Sequence, residues 1–260
     1  MTTRHPDLHR STTTPDAAIR EQHSLPRTLA LHLLPGALTA AAFYLVGPLV
    51  VRAGYPGILA GIIAAGVVLV SLELGWLLRE SHRRTGSWSI KAVMPFRPGP
   101  FTWWKALIIL GLLVWGLLVS AVSIGGSIKD EFFTWLPAWA LDPLPASFAE
   151  TGSSTAQAVV AIGYLVFLVL LAPLVEELYF RGYLLPRITR FGIWAPLINA
   201  ALFATYHLWK PWDLLTLAVI FAPIAYAVWR LRDVRISIGA HIALNGFGWA
   251  VNIAPTLLLS

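Results

Sequence analysis

Seven long apolar stretches, separated by short polar segments, dominate the sequence after residue 27. Each is close to the roughly 20 residues that a helix needs to cross the hydrocarbon of a bilayer. The predicted spans cover about residues 28–50, 56–78, 104–126, 156–180, 193–209, 212–229 and 236–258. The pattern predicts an all-α fold, a polytopic membrane helical bundle of about seven to eight transmembrane helices.

The same pattern divides the chain into three parts. Residues 1–27 are polar, rich in serine and threonine, and have no apolar run, which predicts a disordered cytosolic tail and not a signal peptide. Residues 28–150 are predicted to hold the N-terminal transmembrane helices and an interfacial loop. Residues 151–260 are predicted to form the core that carries the polar motifs described below.

Composition supports a membrane protein and excludes several kinds of chemistry. The chain is 57% hydrophobic and 12% charged, whereas a soluble domain carries about 25% charged residues. Cysteine is absent, which excludes disulfides and thiolate catalysis. The net charge of +6 could suggest nucleic acid, but the basic residues flank the spans. The expected partner is therefore the lipid bilayer and not nucleic acid.

The charged residues between the spans predict an orientation. Residues 79–105 carry six basic side chains against Glu80 alone, and basic loops stay in the cytosol. Residues 127–155 carry four acids against Lys129, and we expect them on the other side. The aromatic residues of that loop suggest a segment lying in the membrane interface; they are Phe132, Phe133, Trp135 and Trp139. The N-terminus is predicted to be cytosolic, and the short loops suggest a bacterial cytoplasmic membrane.

Two adjacent glutamates and an arginine interrupt the fourth apolar stretch. A charge in hydrocarbon costs about 3 kcal/mol or more on insertion scales, so such residues seldom lie there without a role. Glu177 and Arg181 are four residues apart and can pair on one helix face, which predicts a structural or orienting pair. Glu176 points about 100° away and is left to act as a base or to bond a neighbour as a neutral acid.

Three further polar residues lie in later spans. His207 closes the fifth span, and His241 and Asn245 share one face of the seventh. Counting 1.5 Å per residue from the basic loops places Glu176 and these three between roughly 9 and 18 Å deep. We therefore expect one buried layer that is reachable from the cytosolic side, although each residue alone could be interfacial or serve to hold helices together.

Two other ionisable residues in the spans have no such companions. His32 and Glu73 are predicted to be structural, with Glu73 reaching the interface or pairing with a basic residue.

Together the layer could hydrolyse an amide. A carboxylate and a histidine can share and activate a water, and a histidine and an asparagine can donate hydrogen bonds to the oxyanion that forms. This is peptide-bond hydrolysis without a covalent intermediate, in a cavity that must admit water.

Three motifs resemble a known family. Glu176-Glu177-x-x-x-Arg181, Phe203-x-x-x-His207 and His241-x-x-x-Asn245 are similar to the motifs of the CPBP intramembrane proteases, which include the CAAX prenyl endopeptidase Rce1 and the bacteriocin-immunity Abi proteins. The resemblance covers about residues 156–258. It implies Glu176 as the main base with His207 on the same water, His241 and Asn245 on the oxyanion side, and Glu177 with Arg181 as support.

The resemblance also leaves alternatives open. It implies a metal-free mechanism with no cofactor, yet two histidines and a glutamate are ligands that zinc accepts, so zinc stays the alternative. The expected substrate is a membrane-anchored or lipidated peptide, cut near its cytosolic end. A non-catalytic immunity or partner-binding protein is a second hypothesis. A proton-coupled transporter is a distant third, because no repeated halves are visible.

Overall fold

The computed structural model describes residues 21–96, 98–145 and 153–255, and within them the protein is an all-α membrane helical bundle. Seven long helices correspond to the seven predicted spans. They are α1 (Leu25–Arg52), α2 (Ile58–Thr85), α3 (Trp103–Ala121), α6 (residues 154–184, followed by the 3₁₀ segment Leu185–Trp194), α7 (Ala195–Tyr206), α8 (Leu214–Leu231) and α9 (Val234–Asn252). Two short helices, α4 (Gly125–Phe132) and α5 (Ala138–Leu141), lie between α3 and α6.

By length and apolar composition, five helical stretches of the described chain could cross a membrane. They are Leu25–Arg52, Ile58–Thr85, Trp103–Phe132, Ser154–Tyr206 and Pro211–Leu231. The fourth stretch contains both α6 and α7, and the chain reverses its direction between these two helices. The seventh predicted span, α9, is helical but falls outside this set, and it carries two of the polar residues expected in the site.

The reversal between α6 and α7 occurs at Gly192, where φ is 55° and ψ is −130°. A glycine adopts this conformation without the steric penalty that a side chain would add. The two helices then pack side by side: Asn199 Nδ2 on α7 donates to the carbonyl of Phe180 on α6 (3.1 Å), and the rings of Phe180 and Phe203 are 4.9 Å apart. This hairpin brings the second motif back alongside the first.

Helix α6 is not uniformly wound. A π-helical stretch (Tyr164–Leu171) precedes an α-helical turn (Ala172–Glu177), and a second π-helical stretch (Leu178–Leu184) follows it. π-Helical insertions occur often at functional sites, since they redirect side chains within a continuous helix. The two glutamates of the first motif lie in the short α-helical turn between them.

One end of the bundle is strongly basic, and we call it the basic end. It contains eleven lysines and arginines of the described residues against three acids, Glu21, Glu80 and Asp233. The basic residues are Arg27, Arg79, Arg83, Arg84, Lys91, Lys105, Arg187, Arg190, Arg230, Arg232 and Arg235.

Asp233 ties together the starts of α3 and α9 at this end. Its carboxylate caps α9 through the backbone N–H of Arg235 and pairs with Lys105 (2.7 Å). Burial raises the pKa of Asp233, but hydrogen bonds from Arg235 and Lys105 outweigh it and lower the pKa overall. The pairing fixes where α9 begins, and hence the level of its polar residues.

The opposite end of the bundle is built by α4, α5 and the loop after α7, and we call it the rim. The indole of Trp139 on α5 packs against Phe43 (5.2 Å between ring centroids), and a Cβ added at Gly47 would lie 2.1 Å from that indole. Phe132 and Trp135 are instead largely exposed. Among the four aromatics predicted to lie in the interface, two therefore face outwards and two, Phe133 and Trp139, pack inwards.

The predicted tail and loop boundaries fall partly outside the described residues, as do residues 1–20, Arg97 and Glu150. Where the described chain begins, it is already packed: the His23 amide donates to the Arg187 carbonyl (2.9 Å), and α1 starts at Leu25. Helix α1 thus begins three residues before the predicted first span, and residues 21–27, predicted to belong to the tail, are part of the described structure.

Candidate active site

Glu177 and Arg181 form the ion pair that their spacing predicts. Arg181 Nη1 donates to Glu177 Oε1 at 3.1 Å, and both side chains are fully buried. The guanidinium also lies over the rings of Phe203 (4.1 Å) and Phe221 (5.0 Å). Cation–π contact and the carboxylate offset part of the loss of water around this buried guanidinium, whose Nε and Nη2 have no acceptor among the described residues.

His241 on α9 completes this cluster. Its Nδ1 lies 2.9 Å from Glu177 Oε1, the oxygen that also accepts from Arg181. Because a carboxylate oxygen accepts, Nδ1 carries the proton and donates. Glu177 therefore holds Arg181 on one side and the imidazole of His241 on the other, and it fixes the orientation of that ring.

Glu176 faces the other nitrogen of the same ring. Glu176 Oε2 lies 3.8 Å from His241 Nε2, which is an ion-pair distance and too long for a hydrogen bond. The carboxylate is 4% exposed, and no other described cation lies within ion-pair distance of it. As the spacing predicts, the arginine that pairs with Glu177 leaves Glu176 free for other contacts.

His207 lies just beyond the end of α7. Its Nδ1 donates to the Phe203 carbonyl (2.8 Å), so Nε2 is the nitrogen with a free lone pair in the neutral ring. No hydrogen bond to Nε2 comes from any residue of the described segments. The ring is held by edge contacts with Phe203 and Tyr206, at centroid distances of 4.8 and 5.2 Å.

Asn245 lies one turn beyond His241 on α9 and uses part of its donor capacity on the protein. Its Nδ2 donates to the Leu168 carbonyl of the first π-helical stretch at 2.8 Å. The amide group has two N–H donors, so one remains for a ligand. Helix α9 is thereby fastened to α6 at a point eight residues before Glu176.

One cavity of about 380 Å³ joins these residues. Glu176, His207, His241 and Asn245 all line it. Glu177 and Arg181 do not line the cavity; they lie behind His241 and Phe221, which do. The structure thus brings together all six residues that the sequence singled out, four around a shared space and two in support.

The cavity opens at the end opposite to the one expected. The sequence analysis placed access at the basic loops, but the outer part of the cavity is lined by the rim, including Leu141, Pro143, Lys210 and Asp213. Towards the basic end every residue from 179 to 188 is buried. A Cβ on Gly182 would lie 2.6 Å from the Met94 sulfur, which shows how tightly this side is closed.

Glu73 was predicted to be structural, but its partner differs from the interfacial or basic one that the sequence suggested. It neither reaches the interface nor pairs with a basic residue; its Oε1 accepts from the Tyr206 hydroxyl at 2.8 Å. Tyr206 directly precedes His207, so this bond helps to set the end of α7. No periodicity along the chain could have linked residues 73 and 206.

His32 has a structural environment, in line with its expected role. Its Nδ1 donates to the Thr28 carbonyl (2.7 Å), and Nε2 accepts from Asn199 (3.2 Å). Both nitrogens are thus occupied within the protein.

The arrangement does not fit a metal ion. Among the described residues, no group of three or more His, Cys, Asp or Glu side chains converges in a way that could hold one. Both histidines donate from Nδ1 and can keep a lone pair on Nε2. It is therefore the lack of a converging third ligand among the described side chains, and not the state of the rings, that argues against zinc.

Comparison with known proteins supports the motif resemblance over part of the chain. Residues 158–247 match the family described as type II CAAX prenyl endopeptidase Rce1-like, which is a family of proteases. No curated protein and no solved structure matches the chain. The matched segment runs from α6 to α9 and contains all three motifs. Residues 158–247 are therefore similar to the Rce1-like family, and the match does not extend to α1, α2 or α3.

Proposed function

We propose that the protein is an intramembrane endopeptidase that hydrolyses a peptide bond of a membrane-anchored or lipidated polypeptide. The observation that carries this proposal is the cavity in which Glu176, His207, His241 and Asn245 meet. A base, an acceptor nitrogen and two potential oxyanion donors around one space are the set that water-mediated amide hydrolysis needs.

In the proposed reaction, a water lies between the Glu176 carboxylate and His207 Nε2. Glu176 takes a proton from the water as its oxygen attacks the amide carbon, and His207 orients the other water hydrogen. The tetrahedral intermediate carries negative charge on the former carbonyl oxygen. Glu176 then gives the proton to the amide nitrogen, the C–N bond breaks, and a carboxyl group and an amine are released.

Glu177 supports this chemistry through His241. For Nε2 of His241 to donate to the oxyanion while Nδ1 donates to Glu177, both nitrogens must carry protons. The two carboxylates of Glu176 and Glu177 then balance Arg181 and the imidazolium, so the buried cluster is neutral overall. A neutral cluster avoids the large cost of an uncompensated charge in low dielectric.

The proposed mechanism uses no metal and no cofactor. Each step is assigned to side chains of this chain. A purified protein that contained stoichiometric zinc, and lost its activity when the zinc was removed, would contradict this mechanism.

The test compares membrane peptides and proteins in cells that express the wild-type protein, Glu176→Gln or Glu131→Gln. Glu131 is an exposed acid on α4, so Glu131→Gln makes the same chemical change away from the cavity. We expect cleaved fragments with the wild type and the control, and none with Glu176→Gln at equal protein level.

The alternative function, partner binding without catalysis, gives a different result in the same cells. If Glu176→Gln kept the full cellular phenotype and the fragment patterns of all three strains were identical, the protease proposal would fail. The polypeptide that accumulates uncut in the Glu176→Gln strain is the candidate substrate.

A further inference from the structure

We propose that substrate enters the cavity from the extracytosolic side of the membrane, through the rim, and is a polypeptide anchored so that its cleavage site lies at that face. The part of this inference that concerns a substrate rests on the proposed function. The part that concerns the side from which the cavity is reached does not.

The first observation is the separation of charge between the two ends of the bundle. The basic end holds eleven lysines and arginines of the described residues, whereas the rim holds three, Arg52, Lys129 and Lys210. Because lysine and arginine are retained in cytoplasmic loops, the basic end is the cytosolic one and the rim lies outside.

The second observation is which end of the cavity is closed. Between Glu176 and the basic surface lie the buried residues 179–188, without a break. Arg187 closes this side further, with Nη1 donating to the Tyr183 carbonyl (2.6 Å) and Nη2 to the Val93 carbonyl (3.2 Å). The His23 amide then binds the Arg187 carbonyl, so the N-terminal segment covers the same end.

The third observation is the construction of the rim. The outer cavity is bordered by α5 and by the loop with Trp209, Lys210 and Trp212, where Lys210 and Asp213 are half-exposed. Phe132 and Trp135 project from the same end with 67% and 75% exposure. Exposed aromatics beside a polar opening are typical of the interface between hydrocarbon and water.

These features define the substrate class. A polypeptide held in the outer leaflet by a lipid or a transmembrane helix would present its first extramembrane residues at the rim. Its backbone could then reach Glu176 through the cavity without crossing the membrane. A substrate cut on the cytosolic side would have to pass the closed layer of residues 179–188.

The absence of cysteine from the sequence allows a direct test. Single cysteines are introduced at Lys210 on the cavity border, at Thr39 deeper in the cavity wall, and at two exposed reference positions, Thr134 near the rim and Ser87 at the basic end. A small charged methanethiosulfonate that does not cross bilayers is applied to spheroplasts and to inverted membrane vesicles.

We expect Lys210→Cys, Thr39→Cys and Thr134→Cys to react in spheroplasts and to lose labelling in inverted vesicles, with Ser87→Cys showing the reverse. The proposal is overturned if Lys210→Cys or Thr39→Cys reacts from the Ser87 side, or if Lys210→Cys reacts from neither side in a folded protein.

The labelling needs no catalysis, so it separates the two proposals. Cleavage that depends on Glu176, together with labelling of the cavity from the Ser87 side, would refute only the side of access. Labelling from the Thr134 side without any Glu176-dependent cleavage would refute only the protease.

Discussion

Two buried polar clusters in this bundle differ in whether their histidines keep a ring nitrogen free of bonds within the protein. In the first, His32 uses both ring nitrogens within the protein, bonding Thr28 and Asn199. In the second, His207 and His241 each use Nδ1 internally and leave Nε2 towards a cavity shared with Glu176. A polar residue in a span indicates a constraint, and the unoccupied atom beside open space is what distinguishes a site from a structural bond.

Among variants of the two clusters, we expect Glu176→Gln to have the largest effect on turnover. The amide keeps the shape but cannot take a proton, so turnover should fall about 10²- to 10⁴-fold. Thermal stability should stay near that of the wild type, because Glu176 makes no close hydrogen bond within the described protein. Turnover of a substrate identified in cells and thermal unfolding in detergent measure the two quantities, and a stable, fully active variant would place the base elsewhere.

The Glu177–Arg181 pair behind the cavity should behave differently, because its loss should mainly lower the stability of the protein. Arg181→Ala leaves buried Glu177 without its guanidinium partner, which should lower the free energy of unfolding by roughly 3–5 kcal/mol. Arg181→Lys keeps the charge but loses the flat contact with Phe203, and should fall between alanine and wild type. Unfolding curves and expression levels of the pair measure this; an alanine variant as stable and active as wild type would remove the supporting role.

Asn245 lines the cavity and also bonds the Leu168 carbonyl, so its replacement tests whether one side chain has both a catalytic and a structural role. As an oxyanion donor, its replacement by alanine should reduce kcat about 100-fold, with KM little changed. If Asn245 only fastens α9 to the Leu168 carbonyl, stability falls and kcat per folded molecule stays the same. Separate determination of kcat, KM and the folded fraction distinguishes these outcomes.

The smallest effect should come from the closed cluster. Asn199→Leu removes the donor to His32 and to the Phe180 carbonyl, at a cost of about 1–3 kcal/mol in stability. Turnover per folded molecule should be unchanged. Adding His32→Phe removes the stranded acceptor as well and should recover part of the loss, which thermal unfolding of the single and double variants would show. A large fall in turnover with full stability would instead join this cluster to the site.

Much of the helical architecture could be predicted from apolar runs alone. All seven predicted spans are helices, because a backbone in hydrocarbon must satisfy its own hydrogen bonds. Predicted ends differ by a few residues; the third span, expected to reach residue 126, ends at Ala121. The Glu177–Arg181 pair was also predictable, since it depends only on spacing within one helix.

Only the tertiary structure decided towards which end of the bundle the site opens and which residues surround it. Depth counted along single helices placed the polar residues in one layer, but it gives the same depth whether the space lies above or below them. The closure by residues 179–188, the Glu73–Tyr206 bond and the α9 connection through Asn245 join residues far apart in sequence. Such contacts follow from how helices pack against each other, a property that no periodicity along one chain segment encodes.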